Sequence, residues 1–297
     1  MGFTPDALRK KFRIRNKLVR NCLAEFFGTF LLLYIGLSII AQLILSKEKL
    51  NVWININIGW GFDITFSVLV VQSLSGGQLN PAISLLMFTL GELELFHFFA
   101  YCAAQMVGAF LGAVATYITY IDAINAYEGG TLNRTVFGPT ATAGIFSTYP
   151  AAHLSMSAAY IDQVAGTGTL ALFVCAIVDK RNKIPKAAHA VLFGLVVVLI
   201  GCAFGMNVGY PINPARDLGP RIFTWFIYGN QVFTYPYSSW FLVPIIGPCL
   251  GAVLGGWMYF IFSGIHIPDS EECLQYDVVQ TNDVELGAIE SKMVNQS

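Results

Sequence analysis

The chain has 297 residues, of which 55% are hydrophobic and only 12% charged, with 28 glycines. That composition lies outside the range of ordinary soluble domains and indicates an integral membrane protein. A formal net charge of -1 gives no basic excess with which to hold nucleic acid, so the placement of charge is more informative than its sum.

The first twenty residues form a basic segment carrying Arg9, Lys10, Lys11, Arg13, Arg15, Lys17 and Arg20. No removable leader precedes an apolar run, and Asp6 stands where a myristoylation signal needs Ser or Thr, so the first span itself is expected to direct insertion. Apolar runs occupy about 22 to 45, 52 to 74, 95 to 121, 158 to 178, 187 to 208 and 240 to 264. Each is long enough to cross hydrocarbon, and hydrocarbon leaves an isolated segment no way but a helix to satisfy its backbone. Two shorter segments, at about 80 to 90 and 213 to 227, open on Asn-Pro-Ala after glycine-rich turns. They predict re-entrant half-helices. The fold class expected is therefore an all-α membrane protein with six transmembrane helices and two half-helices. A basic segment occupies 1–20, the membrane domain 21–265 and an acidic tail 266–297, which is expected to be disordered or to bind a partner.

Lys and Arg in the loops set the orientation. The N-terminal segment, the fourth-to-fifth connection (Lys180, Arg181, Lys183, Lys186) and Lys292 hold twelve of the seventeen basic residues, against Lys47, Lys49 and Arg134 in the opposite loops. Both termini are expected to be cytoplasmic. Asn133-Arg134-Thr135 is a glycosylation sequon, and this topology puts Asn133 outside the cell, in the loop 122–157.

The two halves repeat. Glu25-Phe26-Phe27-Gly28-Thr29 parallels Gln163-Val164-Ala165-Gly166-Thr167 at an offset of 138, and Asn80-Pro81-Ala82 parallels Asn213-Pro214-Ala215 at 133. Each copy, about 21–121 and 158–265, holds three spans, an odd number, so the second enters from the opposite side. Asn is a favoured helix cap and Pro a favoured first residue, so each Asn-Pro-Ala starts a helix. Two such starts meeting at midplane bring two positive dipole ends and two amide groups to one point, which repels cations. The amides can donate to the oxygen of a passing solute, while carbonyls of the preceding turns, from Gly76, Gly77, Gln78, Leu79, Gly209, Pro211 and Ile212, can accept its hydrogens.

One Asn-Pro-Ala is a common cap; two at matching places in inverted repeats are specific. From about Asn21 to Pro268 the chain resembles the aquaglyceroporins, the glycerol-passing branch of the aquaporin superfamily. The matching residues are Gly205-Met206-Asn207, Gly209-Tyr210, Asn213 through Arg221, and Phe146-Ser147-Thr148-Tyr149-Pro150 in the external loop. The resemblance implies a selectivity ring of Trp60, Gly201, Tyr210 and Arg216, with Gly201 in place of the His typical of water-only relatives. Trp60 and Tyr210 would offer apolar faces to the carbons of a polyol and Arg216 would donate to its hydroxyls. It also implies that Asp217 pairs with Arg221 four residues on, either as structural support or in contact with solute, and that Pro244-Ile245 marks the wider pore.

The resemblance further implies a passive channel for glycerol and water, with urea and other small neutral solutes as further candidates, excluding ions and protons, in a homotetramer in the plasma membrane. The alternatives are a strict water channel and an ion-coupled secondary transporter, which also uses inverted repeats and broken helices. No nucleophile-base arrangement or phosphate loop suggests an enzyme. The six cysteines and four histidines lack ligand spacing, so neither metal nor cofactor is expected. The chain departs from the family pattern at Gln78, where a His is usual, and at Gln163, which replaces a Glu, while Glu25 keeps its counterpart; Gln163 and Glu25 are expected to bond the backbone of the adjacent re-entrant turn. Asp63, a carboxylate inside the second span, is expected either to be bonded within the bundle or to face the pore vestibule.

Overall fold

The computed structural model describes residues 4–130 and 134–268, and among them its regular structure is entirely helical. The sequon residue Asn133 and the tail beyond Pro268 lie outside the described residues. A short helix α1 (Pro5–Phe12), capped by the Thr4 hydroxyl and opened by Pro5, carries basic residues of the N-terminal segment and buries none of them. Along the chain after it come α2 (Lys17–Leu45), α3 (Trp53–Val71), α4 (Pro81–Thr89), α5 (Leu95–Glu128), α6 (Met156–Val178), α7 (His189–Val208), α8 (Pro214–Tyr228), the single turn α9 (Gln231–Thr234) and α10 (Val243–Phe262).

Six of these, α2, α3, α5, α6, α7 and α10, are long and apolar enough to cross a membrane. Their outer faces expose large apolar side chains, among them Phe66, Phe99, Ile118 and Ile161. Such a surface is unfavourable in water and favourable in lipid. The six match the predicted spans closely, with one difference. The third apolar run ends near 121, yet α5 continues to Glu128, because Asp122 and Asn125 interrupt the apolar pattern without interrupting helical hydrogen bonding. Gly129, at φ 75° in the left-handed region, stops it. The predicted external loop 122–157 thus begins as helix and becomes irregular only after Glu128.

Packing follows the repeat. Within the first half α2 lies against α5, and within the second α6 lies against α10. Both pairs are brought into backbone contact by glycine: a Cβ at Gly108 would strike the Phe26 carbonyl, and one at Gly251 would come within 2.5 Å of the Val164 carbonyl. The half-helices cross over between halves. Helix α4 packs on α10, where Gly256 admits the Leu86 side chain, and α8 packs on α5, where Gly219 seats against Ala109. Each half-helix is therefore held in place by a span of the other half.

Candidate functional site

Asn80 and Asn213 cap α4 and α8 head to head. Asn80 Oδ1 accepts from Ala82 N at 2.9 Å, and Asn213 Oδ1 accepts from Ala215 N at 3.0 Å and Arg216 N at 3.2 Å. Pro81 and Pro214 occupy the first helical positions, and Ala82 and Ala215 are buried behind them. The amide nitrogens exchange bonds across the halves: Asn80 Nδ2 donates to the Ile212 carbonyl at 2.9 Å, and Asn213 Nδ2 to the Leu79 carbonyl at 2.8 Å. Sequence alone assigns these amides and carbonyls wholly to solute. In the structure one amide hydrogen of each Asn is committed to the opposite half, and one remains for a passing oxygen. Leu79 and Ile212 hold left-handed φ values of 51° and 40°, which side chains with a Cβ seldom adopt. This conformation turns their carbonyls to the facing Asn, a feature that no sequence signal announces.

The re-entrant turns are anchored from behind. Glu25 accepts from Gln78 N at 3.0 Å and Leu79 N at 2.7 Å, and Gln163 Oε1 accepts from Ile212 N at 3.1 Å. These are the bonds expected of the pair. A third member joins them: Gln105 of α5 donates to Glu25 Oε2 at 2.8 Å and to Ser84 of α4 at 3.0 Å. A lone Gln in an apolar run gives no sign of its partner.

A cavity of about 1080 Å³ runs past both caps. Asn80, Asn213, Gly76, Gly77, Gln78, Leu79, Gly209, Pro211 and Ile212 all line it, as do Trp60, Tyr210 and Arg216. Its lining combines apolar side chains, among them Leu32, Ile56, Trp60, Ile64 and Val68, with the polar turns and Arg216. Arg216 is 6% exposed, donates from Nη1 to the Phe146 carbonyl at 3.1 Å, and stands over Trp60 with its guanidinium carbon 5.2 Å from the ring centre. Trp60 itself packs onto Gly36, where a Cβ would strike the indole. Trp53 also lines the cavity and meets the Tyr210 ring edge-on at 6.0 Å; as an aromatic at a span's end it reads in sequence as an interface anchor.

One expectation needs correction. Gly201 is not on the wall of this cavity; the Tyr210 ring covers it, and a Cβ there would lie 2.8 Å from Tyr210 Cζ and 2.5 Å from Asn57 Oδ1. The space a glycine leaves is thus occupied by an aromatic ring instead of solute. Pro244 and Ile245, expected as markers of the wider pore, lie in the first turn of α10 and are not among the residues lining the cavity. Of the two readings of Asp63 the bonded one holds: it is buried within the bundle, off the cavity lining, with Oδ1 accepting from Ser67 Oγ at 3.0 Å.

The Asp217–Arg221 alternative is resolved by burial. Both side chains are closed off from the cavity, paired at 2.7 Å. Asp217 Oδ2 accepts from Thr148 N at 2.7 Å and Thr148 Oγ1 at 2.6 Å, and Arg221 Nη2 donates to the Thr148 carbonyl at 2.7 Å. Trp240 Nε1 donates to that same carbonyl at 2.8 Å. The pair therefore fixes the segment 146–150, whose Phe146 carbonyl reaches Arg216. In the same segment burial pushes the Tyr149 hydroxyl up to about 12.

At the opposite mouth the connection after α6 is tied to α10. Asp179 accepts from Arg181 Nη2 at 2.7 Å and from Tyr259 Oη at 3.0 Å, and Arg181 reaches the Ile267 carbonyl at 3.4 Å. The Arg181 hydrogen bonds hold the Asp179 carboxyl down to about 2.

Known proteins share this arrangement. A solved aquaglyceroporin from Plasmodium falciparum superposes with a TM-score of 0.73 at 30% identity, over 82% of this chain and 95% of that one. Aquaporin-9 of Rattus norvegicus is 40% identical over 262 residues, 88% of each chain. Aquaporin-10 of Homo sapiens is 39% identical over 279 residues, 93% of this chain and 92% of that one. Residues 13–259 match the profile of the Major intrinsic protein family, and with six spans, two opposed half-helices and paired Asn caps on a single cavity, the chain belongs to that family.

Proposed function

We propose that this protein is a passive channel for glycerol and water, extending to urea and other small uncharged solutes, and that it excludes ions and protons. One observation carries this reading: the cavity that passes between Asn80 and Asn213 also has Trp60, Tyr210 and Arg216 on its wall. An indole and a phenol ring suit a carbon backbone, and the guanidinium with the cap amides suits the hydroxyls on the other side. Water alone makes no use of the ring faces that the carbons of a polyol would contact. The two helix starts and the Arg216 charge oppose cations at the narrow region.

The same reading includes a homotetramer, as the family resemblance implies, with each chain holding its own pathway. It includes residence in the plasma membrane with both termini cytoplasmic, supported by the basic residues of α1 and of the connection at Lys180 to Lys186. Glycosylation at Asn133 belongs to it as well.

Purified protein in liposomes, followed by stopped-flow light scattering, tests it. Glycerol and water fluxes well above protein-free vesicles are expected, with no current under voltage clamp. Water flux alone would make it a strict water channel, and a current linked to solute would make it a coupled transporter.

A further inference from the structure

Tyr210 lines the cavity in an unusual backbone conformation, with φ 41°, and its ring is held from three directions. Beneath it lies Gly201, whose missing side chain leaves room for the ring. Trp53 meets it edge-on at 85°. The hydroxyl donates to Asn57 Oδ1 at 2.8 Å. Asn57 belongs to α3, one turn before Trp60, and is 1% exposed. It does not line the cavity, and its own Nδ2 reaches the Cys202 sulfur at 3.6 Å.

We infer that Asn57 is a specificity-determining positioning residue, which sets the solute preference of the channel by holding the Tyr210 hydroxyl away from the lumen. The inference rests on the glycerol-conducting reading of the channel. A tyrosine at a pore wall has two faces to offer, a hydrocarbon ring and a polar hydroxyl. A hydroxyl without a partner in a low-dielectric wall seeks one, and the cavity that Tyr210 lines offers it. By accepting that hydrogen bond from behind, Asn57 gives the solute the ring alone and fixes the ring's tilt over Gly201. The residue acts entirely through Tyr210: it touches neither solute nor Arg216.

The test uses full-length protein in liposomes and compares wild type with Asn57→Leu, Tyr210→Phe and the double variant. The readout is the ratio of glycerol to water permeability. Asn57→Leu is expected to lower the ratio about threefold or more while water flux persists, because the freed hydroxyl turns a carbon-compatible wall polar. In the double variant there is no hydroxyl to free, so the ratio returns to within about twofold of wild type, a non-additivity that a purely structural role would not produce. Should Asn57→Leu fail to insert, Asn57→Ala removes the same acceptor without added bulk and carries the same expectation. An unchanged ratio in the Asn57 variants, or a double variant as impaired as Asn57→Leu, overturns the inference while leaving glycerol conduction standing. A wild type that passes water but no glycerol overturns both.

Discussion

The guanidinium of Arg216 faces the Trp60 ring at 5.2 Å on one side and the Phe146 carbonyl at 3.1 Å on another. Asp217, next in sequence, does not neutralise it, being turned to Arg221 and Thr148. A positive charge thus stands at the cavity wall with N–H groups left for a solute. Replacing Arg216 by Ala is expected to lower glycerol permeability about tenfold, the worth of one charged hydrogen bond. A small cation current should appear as the electrostatic barrier falls. Arg216→Lys keeps the charge without the fork and should lie between. Stopped-flow flux together with voltage clamp decides; unaltered selectivity in Arg216→Ala would remove the residue from the filter.

Gly201 is covered by Tyr210 with no space for a side chain. Gly201→His is therefore expected to displace the ring into the pathway, cutting glycerol flux by more than about tenfold and water flux by less, since the larger solute meets the narrower opening. Equal losses of both would mean that the variant misfolds, which size-exclusion chromatography in detergent would reveal independently.

Glu25 satisfies two buried backbone N–H groups of one re-entrant turn, and Gln163 satisfies one of the other. Removing an acceptor leaves each donor unpaired at about 1–3 kcal/mol. With the Gln105 amide as a third donor to Glu25, Glu25→Ala should lose about three times the stability of Gln163→Ala by that count, and Glu25→Gln much less than Glu25→Ala. Thermal unfolding of the detergent-solubilised protein ranks the three; a Glu25→Ala as stable as wild type would show that water replaces the carboxylate.

Asp179 has its carboxyl held at about 2 by Arg181. A carboxylate lowered on folding contributes stability above its unfolded value, roughly 3.9, and loses it only as pH falls towards the folded value. The bonds of Asp179 to Arg181 and Tyr259 at the mouth therefore persist at neutral and mildly acidic pH. No histidine lines the cavity among the described residues, Gln78 standing where the family pattern has one. Glycerol and water fluxes at about pH 5.5 and about pH 7.5 should agree within roughly twofold. A steep change with a midpoint near the ordinary imidazole value would show that a histidine off the cavity wall gates it.

Much of this architecture is legible in the residues alone, and the exceptions share a cause. The spans, the half-helices and the two Asn caps announce themselves through hydropathy and through Pro at a helix start, which are local properties of the chain. The family resemblance, carried over by position relative to those caps, points to Trp60, Tyr210 and Arg216. What stays hidden depends on tertiary contact. Gly201 looks like open space until the ring that fills it is seen. Asn57 and Gln105 are single polar residues in apolar runs whose partners lie far away, Tyr210 153 positions on for the first and Glu25 80 positions back for the second. Leu79 and Ile212 hold left-handed backbone without being glycine themselves, so their residue type does not mark them.

The reciprocal bonds at the centre also bear on how the chain is made. When Asn80 leaves the ribosome, the carbonyl that will receive its amide lies 132 residues in the future. An early half is consequently left with an unmatched polar tip inside the bilayer until the late half arrives to close it. Assembly of the centre is thus a joint act of both halves, and a polypeptide cut between them cannot complete it in either fragment alone.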